Sequence, residues 1–199
     1  MRDTKNIEEV GALAPDFMGF ILYPPSKRYL GENYMLTANI PENTQRVGVF
    51  VNALLEDVII WTNRLKLNFA QVHGDEPPQY CLELKYMGLS VIKSFGVGEN
   101  FDFETLKDYL DCCDYFLFDT QCAGHGGSGK QFDWKLLQDY PYEKPFFLSG
   151  GIGPEDATAI LNMNDLPVYA VDINSRFESA PAVKDTEKLK PFIAQLRNS

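Results

Sequence analysis

The stretch Pro-Phe-Phe-Leu-Ser-Gly-Gly-Ile-Gly-Pro-Glu-Asp, residues 145–156, contains the features that decide the fold class. Its apolar run does not alternate with polar residues, which is typical of a strand buried on both faces of a parallel sheet. A glycine-rich turn follows, and Pro154 with two acidic residues behind it makes a suitable first turn of a helix. The stretch therefore predicts a strand, a turn and a helix of an α/β fold.

Similar apolar runs recur along the chain and predict seven strands, at 17–23, 46–51, 69–73, 91–95, 115–119, 146–149 and 168–173. They start about 22 to 31 residues apart, which leaves room for a helix between neighbours. One such helix is predicted by apolar residues at one-face spacing, namely Leu54, Leu55, Val58, Ile59, Thr62 and Leu65. A (β/α) barrel and a doubly wound open sheet both fit this alternation.

An amphipathic helix precedes the first predicted strand. Ile7 and Val10 lie on its apolar face, and Asp3 or Thr4 can cap it. The repeat of strands and helices therefore begins with a helix. We expect the first strand of the repeat to be absent from this chain.

Length, charge and cysteine spacing limit the classes of protein to which this chain can belong. With 199 residues, 45% of them hydrophobic, the chain is expected to form one domain over residues 1–199. A net charge of -10 argues against nucleic-acid binding, and no apolar run is long enough to cross a membrane. The four cysteines lack metal-ligand spacing and are expected to be reduced thiols of a cytoplasmic protein.

A glycine-rich loop at residues 124–130 has the spacing of a nucleotide-binding P-loop. A P-loop requires Ser or Thr at the next position to hold magnesium, and Gln131 stands there. The loop is instead predicted to be a mobile lid over a ligand, or simply a flexible surface loop. Its candidate lid residues are Gly126, Gly127, Ser128, Gly129 and Lys130.

A phosphate site is predicted at Gly150 and Gly151, because this turn lies between a buried strand and a helix start. In (β/α) barrels the loops after the last two strands commonly bind phosphate. An ordinary tight turn is the alternative.

Several polar side chains end predicted strands and should meet at one edge of the sheet. Asp119 and Asp172 end apolar strands, where a carboxylate either caps a neighbouring turn or serves as a general acid. His73 ends another strand. Arg28, in the turn after the first strand, is a candidate anion clamp or a solvated residue. Two histidines without a third ligand do not make a metal site.

In order along the chain, these motifs resemble those of phosphoribosylanthranilate isomerases. The matching segments are Tyr-Pro-x-Ser-Lys-Arg-Tyr at 23–29, Arg-Val-Gly-Val-Phe-Val-Asn at 46–52, Gln-Val-His-Gly-Asp-Glu at 71–76, Phe-Asp-Thr at 118–120, Gly-Gly-Ser-Gly-Lys at 126–130, Leu-Ser-Gly-Gly at 148–151 and Ala-Val-Asp at 170–172. The resemblance implies a (β/α)8 TIM barrel, here with seven strands because the first is absent, and an Amadori rearrangement of a phosphoribosyl substrate in tryptophan biosynthesis. It implies no cofactor and no metal.

The resemblance also implies roles for individual residues. Asp119 would be the general acid, and Arg28 would pair with the anthranilate carboxylate of the substrate. His73 and Asp172 would line the pocket. Gly150, Gly151 and the stretch after Asp172, consisting of Asn174, Ser175 and Arg176, would hold the phosphate.

The sequence departs from the family pattern in two places, and each departure leads to an expectation. The family's catalytic base is a cysteine in a Lys-x-Cys-Gly strand, and Met1 begins just beyond that point. We therefore expect nearly no activity from these residues alone, and self-association through the open barrel edges. The start reflects either a chosen expression boundary or a misassigned start. A non-catalytic phosphosugar-binding barrel and a related barrel acting on another substrate of the pathway are the alternatives.

Arg176 stands where the family has glycine, and either joins the phosphate site or points to solvent.

Overall fold

The computed structural model describes residues 1–121 and 131–197. One sheet contains seven parallel strands, each paired with the next in sequence. Its strands are β1 (Phe17–Ile21), β2 (Gln45–Phe50), β3 (Phe69–Val72), β4 (Ser90–Val97), β5 (Tyr115–Thr120), β6 (Phe146–Leu148) and β7 (Val168–Val171). All seven predicted strands are confirmed in order, and their carboxyl ends share one rim.

Helices connect the strands and cover the outside of the sheet. The α-helices are α1 (Thr4–Gly11), α2 (Leu55–Leu65), α3 (Pro78–Tyr86), α4 (Ala157–Leu161) and α5 (Thr186–Arg197). Short 3-10 helices span Phe103–Tyr109, Trp134–Asp139, Pro154–Asp156 and Ser175–Phe177. A small antiparallel hairpin, β8 (Glu178–Ala180) and β9 (Val183–Lys184), follows β7. Within the described ranges no helix is both long and apolar enough to span a bilayer.

Ring contacts at the amino-terminal end show that the sheet is rolled. In a flat sheet, six steps of about 4.8 Å would separate the two edge strands by about 29 Å. Instead, the ring centroid of Phe17 in β1 lies 5.1 Å from that of Phe147 in β6 and 6.2 Å from that of Tyr169 in β7. The barrel is therefore correct, and the open sheet is excluded.

Helices α1 and α2 test two sequence predictions, a cap at the start of α1 and an apolar face on α2. Asp3 caps α1 as expected, because its Oδ1 accepts a hydrogen bond of 2.8 Å from the backbone N–H of Asn6. The predicted apolar face of α2 is wrong at Leu54 and Ile59, which are 69% and 43% exposed. Leu54 precedes the helix, and the buried side chains are those of Val58, Trp61 and Leu65.

Polar contacts join the two ends of the sheet, although β1 and β7 are its unpaired edges within the described part of the chain. The Asn6 amide in α1 donates to the Lys184 carbonyl at 2.8 Å and accepts from the Lys184 N–H at 2.7 Å. Arg197 in α5 donates to the carbonyls of Leu13 and Ala14. These bonds link the chain before β1 to the chain after β7 without strand pairing.

We predict that Phe17→Ala lowers the free energy of unfolding by about 3 kcal/mol, because its ring contacts β3, β6 and β7 at the point where the barrel closes. Urea denaturation measures this change. Tyr86→Ala is the control, since Tyr86 is 85% exposed and its loss should cost less than about 0.5 kcal/mol. Equal losses in both variants would contradict the closure argument.

Candidate active site

A cavity of about 1080 Å³ opens at the carboxyl ends of the strands and continues between β1 and β7. Its polar wall includes most of the site residues predicted from the sequence. These are Arg28, His73, Asp119, Gly150, Gly151, Asp172, Asn174 and Ser175. The structure thus brings together side chains that are separated by up to 147 residues in the chain, because parallel strands end at the same rim.

Asp119, next to the last residue of β5, is held between two donors. Its Oδ1 accepts from the Thr120 N–H at 2.8 Å, and its Oδ2 lies 3.4 Å from Nε2 of His73. The Gln71 amide nitrogen lies 3.1 Å from Nδ1 of His73. An amide nitrogen can only donate, so this contact fits the tautomer of His73 in which Nδ1 accepts and Nε2 carries the proton. His73 therefore directs a donor at Asp119.

The predicted phosphate turn lies directly beside this acid. Gly150 and Gly151 have φ angles of +91° and +65°, a region that glycine adopts without strain. A Cβ atom on Gly150 would lie 2.5 Å from Oγ1 of Thr120 and 3.1 Å from Oδ1 of Asp119. Glycine is thus required both for the backbone angle and for the close approach of the turn to Asp119.

Asp172 follows β7 and is the second carboxyl group on this wall. Ser149 donates to its Oδ2 at 3.1 Å. Burial raises the pKa of Asp172, and the neighbouring Asp119 raises it further, while Lys184 and the Ser149 hydroxyl oppose the shift. The site therefore favours the protonated form of Asp172 more than water does.

A buried ion pair supports the loop that carries His73. Lys93 in β4 donates to Glu76 at 3.2 Å and to the Gly74 carbonyl at 2.7 Å, and both charged side chains are at most 3% exposed. Glu76 also accepts from the backbone N–H groups of Asn52 and Gly74, at 2.7 and 3.0 Å. The segments that follow β2 and β3 are therefore joined to the middle of β4 at one carboxylate.

Arg28 and Arg176, the two predicted arginines, lie in different surroundings. The side chain of Arg28 lines the cavity and is only 15% exposed, with Glu178 as its bidentate partner. Arg176 is 40% exposed, binds Glu155 and donates to the Gly151 carbonyl at 3.2 Å. Arg176 thus contacts the Gly150–Gly151 turn, and it is neither solvated alone nor among the residues that line the cavity.

Sequence reasoning missed several polar residues of this region. Ser149 and Lys184 line the cavity, and Glu178 fixes Arg28. Lys93 had a usable signal, because a lysine inside the apolar strand Val-Ile-Lys-Ser-Phe requires a buried partner. The pairing of Glu178 with Arg28 had none, since 150 residues separate the two side chains. The lid loop predicted at 126–130 lies outside the described residues.

Three buried cysteines are poor candidates for a catalytic base. Burial raises the pKa of Cys81 to about 12 and also raises the pKa values of Cys112 and Cys113. Among the described residues that line the cavity there is no cysteine. All three are free thiols, as expected from the sequence, and burial makes them unreactive.

The family model and two sequence relatives carry the same name. A family model described as N-(5'phosphoribosyl)anthranilate (PRA) isomerase matches residues 1–195. The N-(5'-phosphoribosyl)anthranilate isomerase of Parabacteroides distasonis is 45% identical over 199 residues, covering 98% of this chain and 90% of that protein. The protein of the same name from Phocaeicola vulgatus is 41% identical over 197 residues, covering 99% of this chain and 95% of that protein.

Solved structures agree with the sequence relatives. The crystal structure of phosphoribosyl anthranilate isomerase from Thermotoga maritima superposes with a TM-score of 0.86 at 32% identity, covering 100% of this chain and 96% of that chain. A phosphoribosyl anthranilate isomerase in complex with reduced 1-(o-carboxyphenylamino)-1-deoxyribulose 5-phosphate gives 0.84 at 29% identity, with the same coverage.

We predict that Lys93→Met lowers the free energy of unfolding by about 3–5 kcal/mol, because it leaves the Glu76 carboxylate buried without its cation. The control is Lys85→Met, which breaks a half-exposed pair with Asp114 and should cost about 1 kcal/mol or less. Chemical denaturation of both variants provides the comparison. The ion-pair argument fails if the two lysines prove equivalent.

We predict that Asp172→Asn is more stable than the unaltered protein at pH 8. The raised pKa of Asp172 means that stability falls as the pH rises from the unfolded-state value of about 4 through the folded-state value. Asparagine removes this loss. Melting temperatures should therefore differ most at pH 8 and converge as the pH approaches about 4. A lower melting temperature for the variant at pH 8 would disprove this account of Asp172.

Proposed function

The chain belongs to the N-(5'-phosphoribosyl)anthranilate isomerase family, and from this premise we propose that Asp119 is the general acid of its reaction. The protein is an isomerase of tryptophan biosynthesis. It converts N-(5-phosphoribosyl)anthranilate to 1-(2-carboxyphenylamino)-1-deoxyribulose 5-phosphate by an Amadori rearrangement. The observation that carries the proposal is the position of the Asp119 carboxyl group, held on the cavity wall beside the Gly150 turn.

The first step requires a proton at the ring oxygen of the ribose. Asp119 donates it, the bond between C1 and the ring oxygen breaks, and the nitrogen lone pair forms a Schiff base with C1. The carboxylate left behind is stabilised by the Thr120 N–H and by Nε2–H of His73. His73 is thus a positioning residue for the acid in this proposal.

The second step removes the proton from C2 of the sugar and gives an enolamine that becomes the ketose. The general base expected from the family is the cysteine of a Lys-x-Cys-Gly strand. That base stays a prediction. The non-catalytic phosphosugar-binding alternative has no finding in its favour.

The substrate carries a phosphate at one end and a carboxylate at the other, and the cavity offers a different kind of partner to each. We assign the phosphate to the backbone of Gly150, Gly151, Asn174 and Ser175, with Arg176 binding the outer side of the turn. Arg28, from the loop after β1, then receives the anthranilate carboxylate. Asp172, which accepts from Ser149, lines the same cavity. The expected cytoplasmic location and self-association through the barrel edges stay predictions.

We predict that Asp119→Asn lowers kcat/KM by about a hundredfold or more, because asparagine cannot donate the proton that opens the ring. Loss of the substrate's fluorescence measures turnover. The assay compares the unaltered protein with the variant, both as the 199-residue chain and as a version that also carries the family's Lys-x-Cys-Gly strand. Asp119→Asn should silence whichever version turns over substrate.

Asp75→Asn is the control, because Asp75 is an exposed carboxylate at the same rim whose backbone N–H, and not its side chain, bonds to Asn52. This variant should keep normal turnover. Undiminished activity of the Asp119→Asn variant would rule out Asp119 as the acid. Activity of the 199-residue chain itself would show that a different group serves as the base.

A further inference from the structure

A cluster of three charged side chains lies where the loop after β1 meets the β8–β9 hairpin. The Nε atom of Arg28 donates to both carboxylate oxygens of Glu178 at 2.9 Å, and its Nη2 donates to Oε2 at 2.6 Å. The two side chains are 15% and 4% exposed, although 150 residues separate them. This pair is therefore a largely buried part of the cavity wall, unlike a solvated ion pair on the surface.

Lys184 approaches Glu178 from the other side. Its Nζ lies 3.4 Å from Oε1 of Glu178 and donates to Oδ1 of Asn174 at 2.8 Å. Burial alone would raise the pKa of Glu178, but the bonds from Arg28 and the charge of Lys184 outweigh it and hold the pKa below its usual range. Glu178 is thus a buried carboxylate shared by two cations.

The bonds to Glu178 use only one edge of the Arg28 guanidinium. Among the described residues, every side-chain hydrogen bond of Arg28 leaves from Nε or Nη2. The guanidinium is planar and rigid, so fixing this edge also fixes the direction of the Nη1 N–H groups. Arg28 itself lines the cavity, where an anionic ligand group would be received.

We propose that Glu178 is a positioning residue that holds the Nε–Nη2 edge of Arg28, so that the Nη1 side selects substrates bearing a carboxylate on the aromatic ring. The proposal rests on the role proposed above for Arg28. Glu178 itself does not contact the substrate. Its effect on binding depends on whether the ligand carries the group that Arg28 recognises.

The physical reason is preorganisation. A free arginine side chain has many rotamers, and ordering it during binding weakens affinity. Glu178 orders Arg28 before the ligand arrives. Without that carboxylate, Arg28 is repelled by Lys184 and adopts other rotamers, so a ligand carboxylate loses a preformed partner. A ligand that lacks the carboxylate loses nothing.

The test measures binding of two probes to the 199-residue chain by calorimetry. One probe is reduced 1-(o-carboxyphenylamino)-1-deoxyribulose 5-phosphate, and the other is the same molecule with hydrogen in place of the ring carboxylate. Glu178→Gln should weaken the first probe about tenfold and the second less than about twofold. Equal weakening of both probes, or no weakening of the first, would overturn the proposal.

Arg28→Met separates this inference from the proposed function beneath it. If that variant weakens both probes equally, Arg28 does not bind the carboxylate, and the proposed function is wrong at this point. If it weakens only the carboxylate probe while Glu178→Gln has no effect, Arg28 keeps its role and the positioning proposal fails. In the combined variant, the loss should equal that of Arg28→Met alone.

Two further variants guard against effects on folding. Glu178→Asp keeps the charge but is too short to hold both nitrogen atoms, so it should show a smaller loss confined to the carboxylate probe, even if Glu178→Gln does not fold. Asp114→Asn is the matched control, because Asp114 pairs with Lys85 and accepts from the Val91 N–H at the opposite end of the sheet. It should leave the preference between the probes unchanged, and a change there would count against the proposal.

Discussion

The parallel pairing of seven consecutive strands is the constraint on which the rest of the structure depends. Because every strand runs in the same direction, every carboxyl end reaches the same rim. Ring packing of Phe17 against Phe147 and Tyr169 then rolls the sheet, so residues from the first and last strands face each other across one cavity. The strand ends and the loops that follow them are therefore enough to bring the polar side chains of the site together at this rim.

Bringing charged groups to a partly buried rim has an energetic cost, and the protein offsets it with specific partners. Lys93 lies in an apolar strand, and Glu76 with the Gly74 carbonyl satisfies it. Glu178 is buried between Arg28 and Lys184. Removing one member of such a pair leaves an uncompensated charge. The two clusters therefore fix the loops that carry His73 and Arg28, and they link stability to the geometry of the site.

Asp172 and Asp119 show the opposite case, in which electrostatic cost is retained at the site. Burial and the neighbouring Asp119 disfavour the ionised form of Asp172, and Ser149 and Lys184 only partly compensate. Proteins commonly hold such groups where they bind or transform a ligand. Gly150 also fits closely against Asp119 and Thr120, since any larger residue would displace either Asp119 or the Gly150–Gly151 turn.

The sequence by itself determined the number, order and direction of the strands, the glycine turn at 150–151 and the family, because these follow from local apolar runs and from motifs a few residues long. It misjudged burial at Leu54, which precedes the helix, and at Ile59, which lies beside the buried face formed by Val58, Trp61 and Leu65. The apolar pattern alone left a barrel and an open sheet as alternatives, and the family resemblance implied the barrel that the structure confirms. Only the tertiary structure decided that Arg28 pairs with Glu178 and that Lys93 pairs with Glu76. These outcomes depend on contacts between side chains of different βα units, and no local pattern specifies which distant partner a charge or a ring will meet.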